Sequence, residues 1–309
     1  MSENQNTSNE RGMEKYFFRA SAADFKKIPG SPISYWISKS FRDNFSRGKP
    51  LSHLAAPRKG MVTADNPRFI RLWAEVDQSK IGFDLESREA AKNTCRKWFP
   101  YMKGGTFRRW SGNSEYVVNW EKDGFELLHM QEEGYKVGST NHNLEFIFKP
   151  AITWTKVTSS DSGFRSNGFG YLYDDASGLC PTHAKEDHYS VLGLLNSPVT
   201  MHVLRALNPT LNLNPGNLAD IPVISAQASN AAVQCEKFSK LDWNSYETSW
   251  DFSDFPLLHP NHRQPTLKAS YQKLRTNWRE MTRQMQRLEE ENNRIFIDAY
   301  GLQDELTPE

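Results

Sequence analysis

The chain has 309 residues with 38 basic and 37 acidic side chains, a net charge of +1, 38% apolar content and a mean hydropathy of −0.70. It is long enough for one large core or two modest ones, and the low apolar share leaves part of it outside any core. No apolar run approaches the roughly 18 residues of a transmembrane helix, and the three scattered cysteines, Cys95, Cys180 and Cys235, argue against a disulfide framework and for a reducing cytoplasm.

Residues 1–15 are polar, lack the apolar core of a signal peptide and read as a disordered lead-in. Ile28-Pro29-Gly30-Ser31-Pro32 forces a turn, and Ser31-Pro32 predicts a helix start with Ile33, Trp36, Ile37 and Phe41 on one face. Leu51 to Ala56 reads as a short helix or turn, followed by a loop over 58–67 and a strand from Phe69 to Val76. In that loop Thr63, Asp65 and Asn66 stand between Arg58, Lys59 and Arg68, Arg71. Polar groups flanked by cations suit phosphates or base edges, although an Asx-turn ahead of a strand has the same composition.

Ser87 to Lys97 is predicted as a short helix, and the stretch Arg96 to Trp120 carries the strongest signal of the chain. No acidic residue occurs between Ala90 and Ser114, while Lys92, Arg96, Lys97, Lys103, Arg108 and Arg109 alternate with Trp98, Phe99, Tyr101, Phe107 and Trp110. Cations for phosphates beside flat rings for bases suit nucleic acid. Gly104-Gly105 allows a tight turn or a close approach to a partner. The competing reading is a hairpin with core aromatics and a solvated cationic face. Within it Trp98, Phe99 and Trp120 fit a core better than a stacking surface.

Leu144 to Val157 reads as a strand pair broken at Lys149-Pro150, and Tyr171-Leu172-Tyr173 as a short strand. Two helices follow, one through Val191 to Leu195 and one opening at Pro198 with Val199, His202, Val203 and Leu207. Leu218, Ile221 and Val223 lead into another short strand. Ser225 caps a helix to about Leu241 with Val233, Phe238 and Leu241 as its apolar face, and 242–256 is an irregular acidic and aromatic loop. Leu267, Tyr271, Leu274, Trp278, Met281, Met285, Leu288, Asn292 and Ile295 then form a heptad seam, with Asn292 able to fix register.

Catalytic chemistry is sparse. Cys180, His183 and His188 lack a fourth ligand and a recognised zinc spacing, and neither a Gly-x-Ser-x-Gly nor a phosphate-cradling Gly-rich loop occurs. Adenine methyltransferases hold a flipped base with Asn or Asp, two prolines and an aromatic residue in a row. No Pro-Pro dipeptide exists in the chain.

Several motifs together resemble PglX, the adenine-specific DNA methyltransferase family of BREX phage-resistance systems. They are Phe18-Arg19-Ala20-Ser21 through Pro32 with Tyr35-Trp36, Gly60 to Trp73, Lys97 to Trp120, Ile152 to Val157, Leu194 to Val223, Ser245 to Phe252 and Asn293 to Leu306. More loosely, the Gly60–Phe69 turn, the Lys-Gly-Gly…Arg-Arg-Trp stretch and the Leu-Leu-Asn-Ser helix are similar to specificity domains of restriction–modification enzymes. The resemblance implies an α+β fold: a mainly β target-recognition domain with short helices at 51–224, then a helical region at 225–309 with a coiled-coil helix at 265–298. Residues 16–50 would link to a catalytic domain that holds S-adenosylmethionine outside this chain, which would bind no cofactor and be inactive alone. The implied partners are double-stranded DNA and the catalytic domain or other BREX components, with helix pairing through Leu267–Ile295. The candidate DNA contacts are Arg58, Lys59, Thr63, Asn66, Arg68, Lys103, Gly104, Gly105, Arg108, Arg109, Trp110 and Lys156. Two alternatives are a coiled-coil protein-interaction module and an inactive truncated remnant.

Overall fold

The computed structural model describes residues 21–132, 134, 138–159, 161–208, 210–226 and 228–309, and the expected lead-in at 1–15 lies outside them. The architecture is α+β, built on two hydrophobic cores. Helix α1 (Lys39–Arg47) starts later than Ser31-Pro32 suggests. Gly30 and Ser31 both adopt left-handed backbone in a turn, and the Ser38 hydroxyl instead caps the helix by accepting the Phe41 amide at 3.0 Å. Phe41 and Ile37 therefore reach the core, while Ile33 and Trp36 remain exposed.

Strand β1 (Lys49–Pro50) pairs antiparallel with β8 (Pro222–Val223), which closes residues 51–221 into one loop of chain. Inside it lies a four-stranded sheet in the order β2–β4–β3–β7. Strands β2 (Ile70–Leu72), β4 (Tyr116–Asn119) and β3 (Trp98–Met102) are antiparallel neighbours, and β7 (Leu172–Tyr173) joins β3 in parallel. The register sets Trp98 opposite Asn119 and Tyr101 opposite Tyr116. The Arg96–Trp120 stretch is thus a hairpin, and Phe99, Tyr101, Val118 and Trp120 pack with Phe69, Leu127 and Phe148 in the sheet core. A second antiparallel pair, β5 (Ala151–Trp154) and β6 (Phe164–Asn167), carries Ile152, Trp154 and Phe164 into the other core.

That second core is helical. It gathers Phe41 and Leu51, α2 (His188–Leu195), α3 (Pro198–Leu207), α4 (Ser229–Trp243) and the C-terminal half of α5 (Leu267–Tyr300). At 1.5 Å per residue α5 is about 50 Å long, and its two halves differ. Asn292, Phe296, Ile297 and Tyr300 are buried, and Asn292 donates from Nδ2 to the Gly193 carbonyl at 3.0 Å. A Cβ at Gly193 would stand 2.6 Å from Asn292 Oδ1, so glycine is what lets α2 and α5 meet. The seam thus packs within the chain over its C-terminal half and at Leu274, whereas Leu267, Tyr271 and Trp278 are exposed. Gly301, left-handed, ends the helix.

Four predicted elements are shorter or shifted. The Phe69–Val76 segment is strand only over Ile70–Leu72, because Asp65 caps a helical turn at Asn66–Phe69 and a 3-10 turn follows at Trp73–Glu75. The helix after Ser87 stops at Lys92. Residues 144–148 form turns, leaving β5 as the one strand of the expected pair. Helix α4 starts at Ser229 and buries Ala231, Ala232, Cys235 and Ser239, with Leu241 left outside. Small side chains on that face bring α4 close to α5, which the larger apolar residues would prevent.

Candidate nucleic-acid interface

Six of the predicted contacts converge on one turn, Asp174–Gly178, which follows β7. Gly60 allows the first approach: a Cβ there would lie 2.3 Å from the Tyr173 and Asp174 carbonyl oxygens. The adjacent Arg58 pairs its backbone with Leu179, leaving Arg58 and Lys59 exposed. Lys103 reaches Asp174 at 3.4 Å, and Lys156 reaches Asp175 at 2.5 Å. Gly104 (φ +84) and Gly105 (φ +111) turn the chain directly over this site, with the Ala176 carbonyl 3.0 Å from where a Gly104 Cβ would be. Thr155 holds the turn by donating to the Gly105 carbonyl at 3.2 Å. Tyr101 donates to Asp174 at 2.9 Å, and burial followed by that carboxylate raises its pKa well above the ordinary value. Lys103 and Lys156 are thus paired with Asp174 and Asp175, whereas the exposed Arg58 and Lys59 have no carboxylate partner among the described residues, Arg58 lying over the Phe146 ring.

The remaining predicted residues lie in two other places. Thr63 is buried and donates to Asn66 Oδ1, while Asn66 itself is exposed. Arg68 pairs with Glu126 at 2.6 Å. Burial raises the Glu126 pKa, but Arg68 and then Asn119 outweigh it and leave the carboxyl below its usual range. This is the Asx-capped turn ahead of a strand.

Arg108, Arg109 and Trp110 face α4 and α5. Trp110 is 1% exposed and donates from Nε1 to Glu289 at 2.6 Å, so its ring is core and unavailable for stacking. Its backbone sits at φ +70, uncommon for a bulky residue, and is held by bonds to Phe164 and Ser166 on β6. Arg108 donates to the Ser111 and Ser239 carbonyls, pairs with Asp242 at 2.7 Å and lies over the Trp243 ring. It fastens the hairpin to α4. Arg109 lies over the exposed Phe107 ring. Together with Tyr246, Trp278, Met281 and Met285 these residues line an open cleft of about 630 Å³.

Two features escaped the sequence reading. Arg165 on β6 is 1% exposed, yet no carboxylate pairs with it among the described residues. Its guanidinium donates to the Arg108 carbonyl at 3.3 Å and Thr155 Oγ1 at 3.4 Å, and burial, aided by Arg108, lowers its pKa to about 10. The other is a row of arginines on α5, masked in the sequence by the heptad seam beside it. The possible zinc trio is dispersed among other partners: His188 contacts Ser166 at 2.8 Å, His183 contacts the Ser52 carbonyl, and Cys180 is buried.

No protein-family profile matches the chain. An adenine-specific methyltransferase PglX of Lacticaseibacillus casei (strain Zhang) is 35% identical over 305 residues, 95% of this chain. The chain is a relative of the PglX adenine-specific methyltransferases. The adenine-specific methyltransferase BrxX of Escherichia coli O9:H4 (strain HS) is 32% identical over 288 residues, 92% of the chain. The chain spans about a quarter of the length of these PglX-type relatives, 25% of one and 22% of the other. No helix among the described residues is long and apolar enough to cross a membrane.

Proposed function

We propose that the chain is the DNA target-recognition part of a BREX-type, site-specific adenine DNA methyltransferase, working in the cytoplasm with a catalytic domain outside this chain. The observation that carries this reading is the match over 95% of the chain to an adenine-specific methyltransferase, in a sequence without the base-holding Asn-Pro-Pro-aromatic run. The methyl donor, S-adenosylmethionine, would sit in that other domain. Gly168-Phe169-Gly170 connects β6 to β7 with no following helix, so it offers no strand–turn–helix cradle for a nucleoside cofactor.

The exposed Arg58 and Lys59, with the Gly104-Gly105 turn, form the proposed recognition face, and the exposed Asn66, on its separate capped turn, a second contact loop. Unpaired cations position the backbone of a duplex, and an amide side chain can read a base edge. Selection from a randomised duplex pool tests this directly. The full chain is expected to enrich one sequence motif, and Arg58→Ala with Asn66→Ala to relax it; a pool that stays random under the unaltered chain contradicts the proposal.

The exposed Leu267, Tyr271 and Trp278 favour a second role in helix pairing. Light scattering of the full chain and of Leu267→Ser/Trp278→Ser separates the two readings, because pairing predicts that the variant loses an assembly the parent forms.

A further inference from the structure

From Leu267 to Leu288, helix α5 carries Lys268, Lys273, Arg275, Arg279, Arg283 and Arg287 against a single carboxylate, Glu280. The four arginines recur every fourth residue. At about 100° per residue they climb one flank of the helix, away from the apolar seam, and at 1.5 Å per residue they span about 18 Å. All four are exposed. None has a side-chain ion pair or hydrogen bond among the described residues; of the nearby carboxylates, Glu280 accepts from Gln284 at 3.2 Å and Glu290 from Gln286 at 2.7 Å. Like charges at four-residue spacing disfavour a helix, so the row opposes folding.

The flank's chemistry identifies its partner. Between Arg275 and Arg287 its other side chains are polar, Thr276, Thr282 and Gln286, no large apolar residue interrupts the arginines, and the carboxylates Glu289 to Glu291 begin only after Arg287. Protein-binding surfaces centre on apolar or aromatic anchors, whereas DNA-binding surfaces are polar and strongly positive. Arginine also presents a planar fork that grips phosphate oxygens in pairs.

We propose that Arg275, Arg279, Arg283 and Arg287 clamp the phosphate backbone of duplex DNA, a sequence-independent hold separate from the loops that read sequence. This rests on the reading of the chain as a DNA-recognition module. Fluorescence anisotropy of the full chain on labelled duplexes, titrated with salt, tests it. Replacing all four with glutamine should weaken every duplex alike, by about tenfold or more at low salt, and flatten log K against log[salt] by about 3 to 4. Replacing all four with lysine should preserve the slope. If the glutamine variant keeps the slope of a DNA-binding parent, the clamp is wrong and the recognition reading stands. If the lysine variant loses the slope too, charge is not the cause and the clamp is also wrong. If the parent binds no duplex at low salt, or holds only an acidic protein, both readings fall.

Discussion

The hairpin at 96–120 and the N-terminal half of α5 are both rich in arginine and aromatic residues, yet the fold uses them in opposite ways. In the hairpin, Arg108 is tied to Asp242 and two carbonyls, Lys103 to Asp174, and Trp110 is buried against Glu289. On α5, four arginines have no side-chain partner among the described residues and Trp278 is exposed. A count of cations describes charge, while the fate of each cation describes availability. The segment that announces itself by composition is largely scaffold, and the one hidden inside a heptad pattern is open to a ligand.

The largest effect that would sharpen this contrast is Trp110→Ala. Removing a fully buried ring and stranding Glu289 should cost about 3–5 kcal/mol, read as a lower midpoint in urea denaturation. Its effect on DNA should be no more than that loss of folding. Next comes acid sensitivity. Burial lowers the His188 pKa from 6.5 to about 4, and His188 supports Ser166, whose amide holds the Trp110 carbonyl. Between these two pH values the unfolded chain binds more protons. Stability should therefore be full above pH 6.5 and fall as pH drops toward 4, by up to about 3 kcal/mol. His188→Gln should remove most of that acid limb in denaturation curves taken at pH 7 and pH 5.

Arg108→Ala should cost about 1–2 kcal/mol, discounted because Asp242 is half exposed. The glutamine substitutions on α5 should have the smallest effect on folding, within about 0.5 kcal/mol in thermal melts, as befits exposed side chains. A large destabilisation there would mean that the arginines hold the fold, and the contrast would collapse.

Much of this was legible in the sequence. The helices after His188 and Pro198 follow from apolar spacing and an N1 proline, and the long helix from its seam and Gly301. Phe99 and Trp120 are core residues as expected, whereas Trp98 is only half-buried, with Arg71 and Lys97 over its ring. What stayed hidden depends on long-range partners. Nothing local to Arg108 points to Asp242, 134 positions away, and nothing local to Trp110 points to Glu289, 179 away. The Ser31 helix start failed because a downstream serine, Ser38, was the better placed cap. The convergence of Arg58, Lys103 and Lys156 on Asp174–Gly178 likewise needed the parallel β3–β7 pairing, which no turn signal announces.

Paired salt titrations of two variants of the full chain test availability against composition most directly. Lys103→Gln/Arg108→Gln removes two hairpin cations, and Arg275→Gln/Arg279→Gln removes two from α5. The slope of log K against log[salt] on one duplex should stay at the parent's value in the first and fall by about 2 in the second. The reverse pattern would return DNA contact to the hairpin and contradict the account.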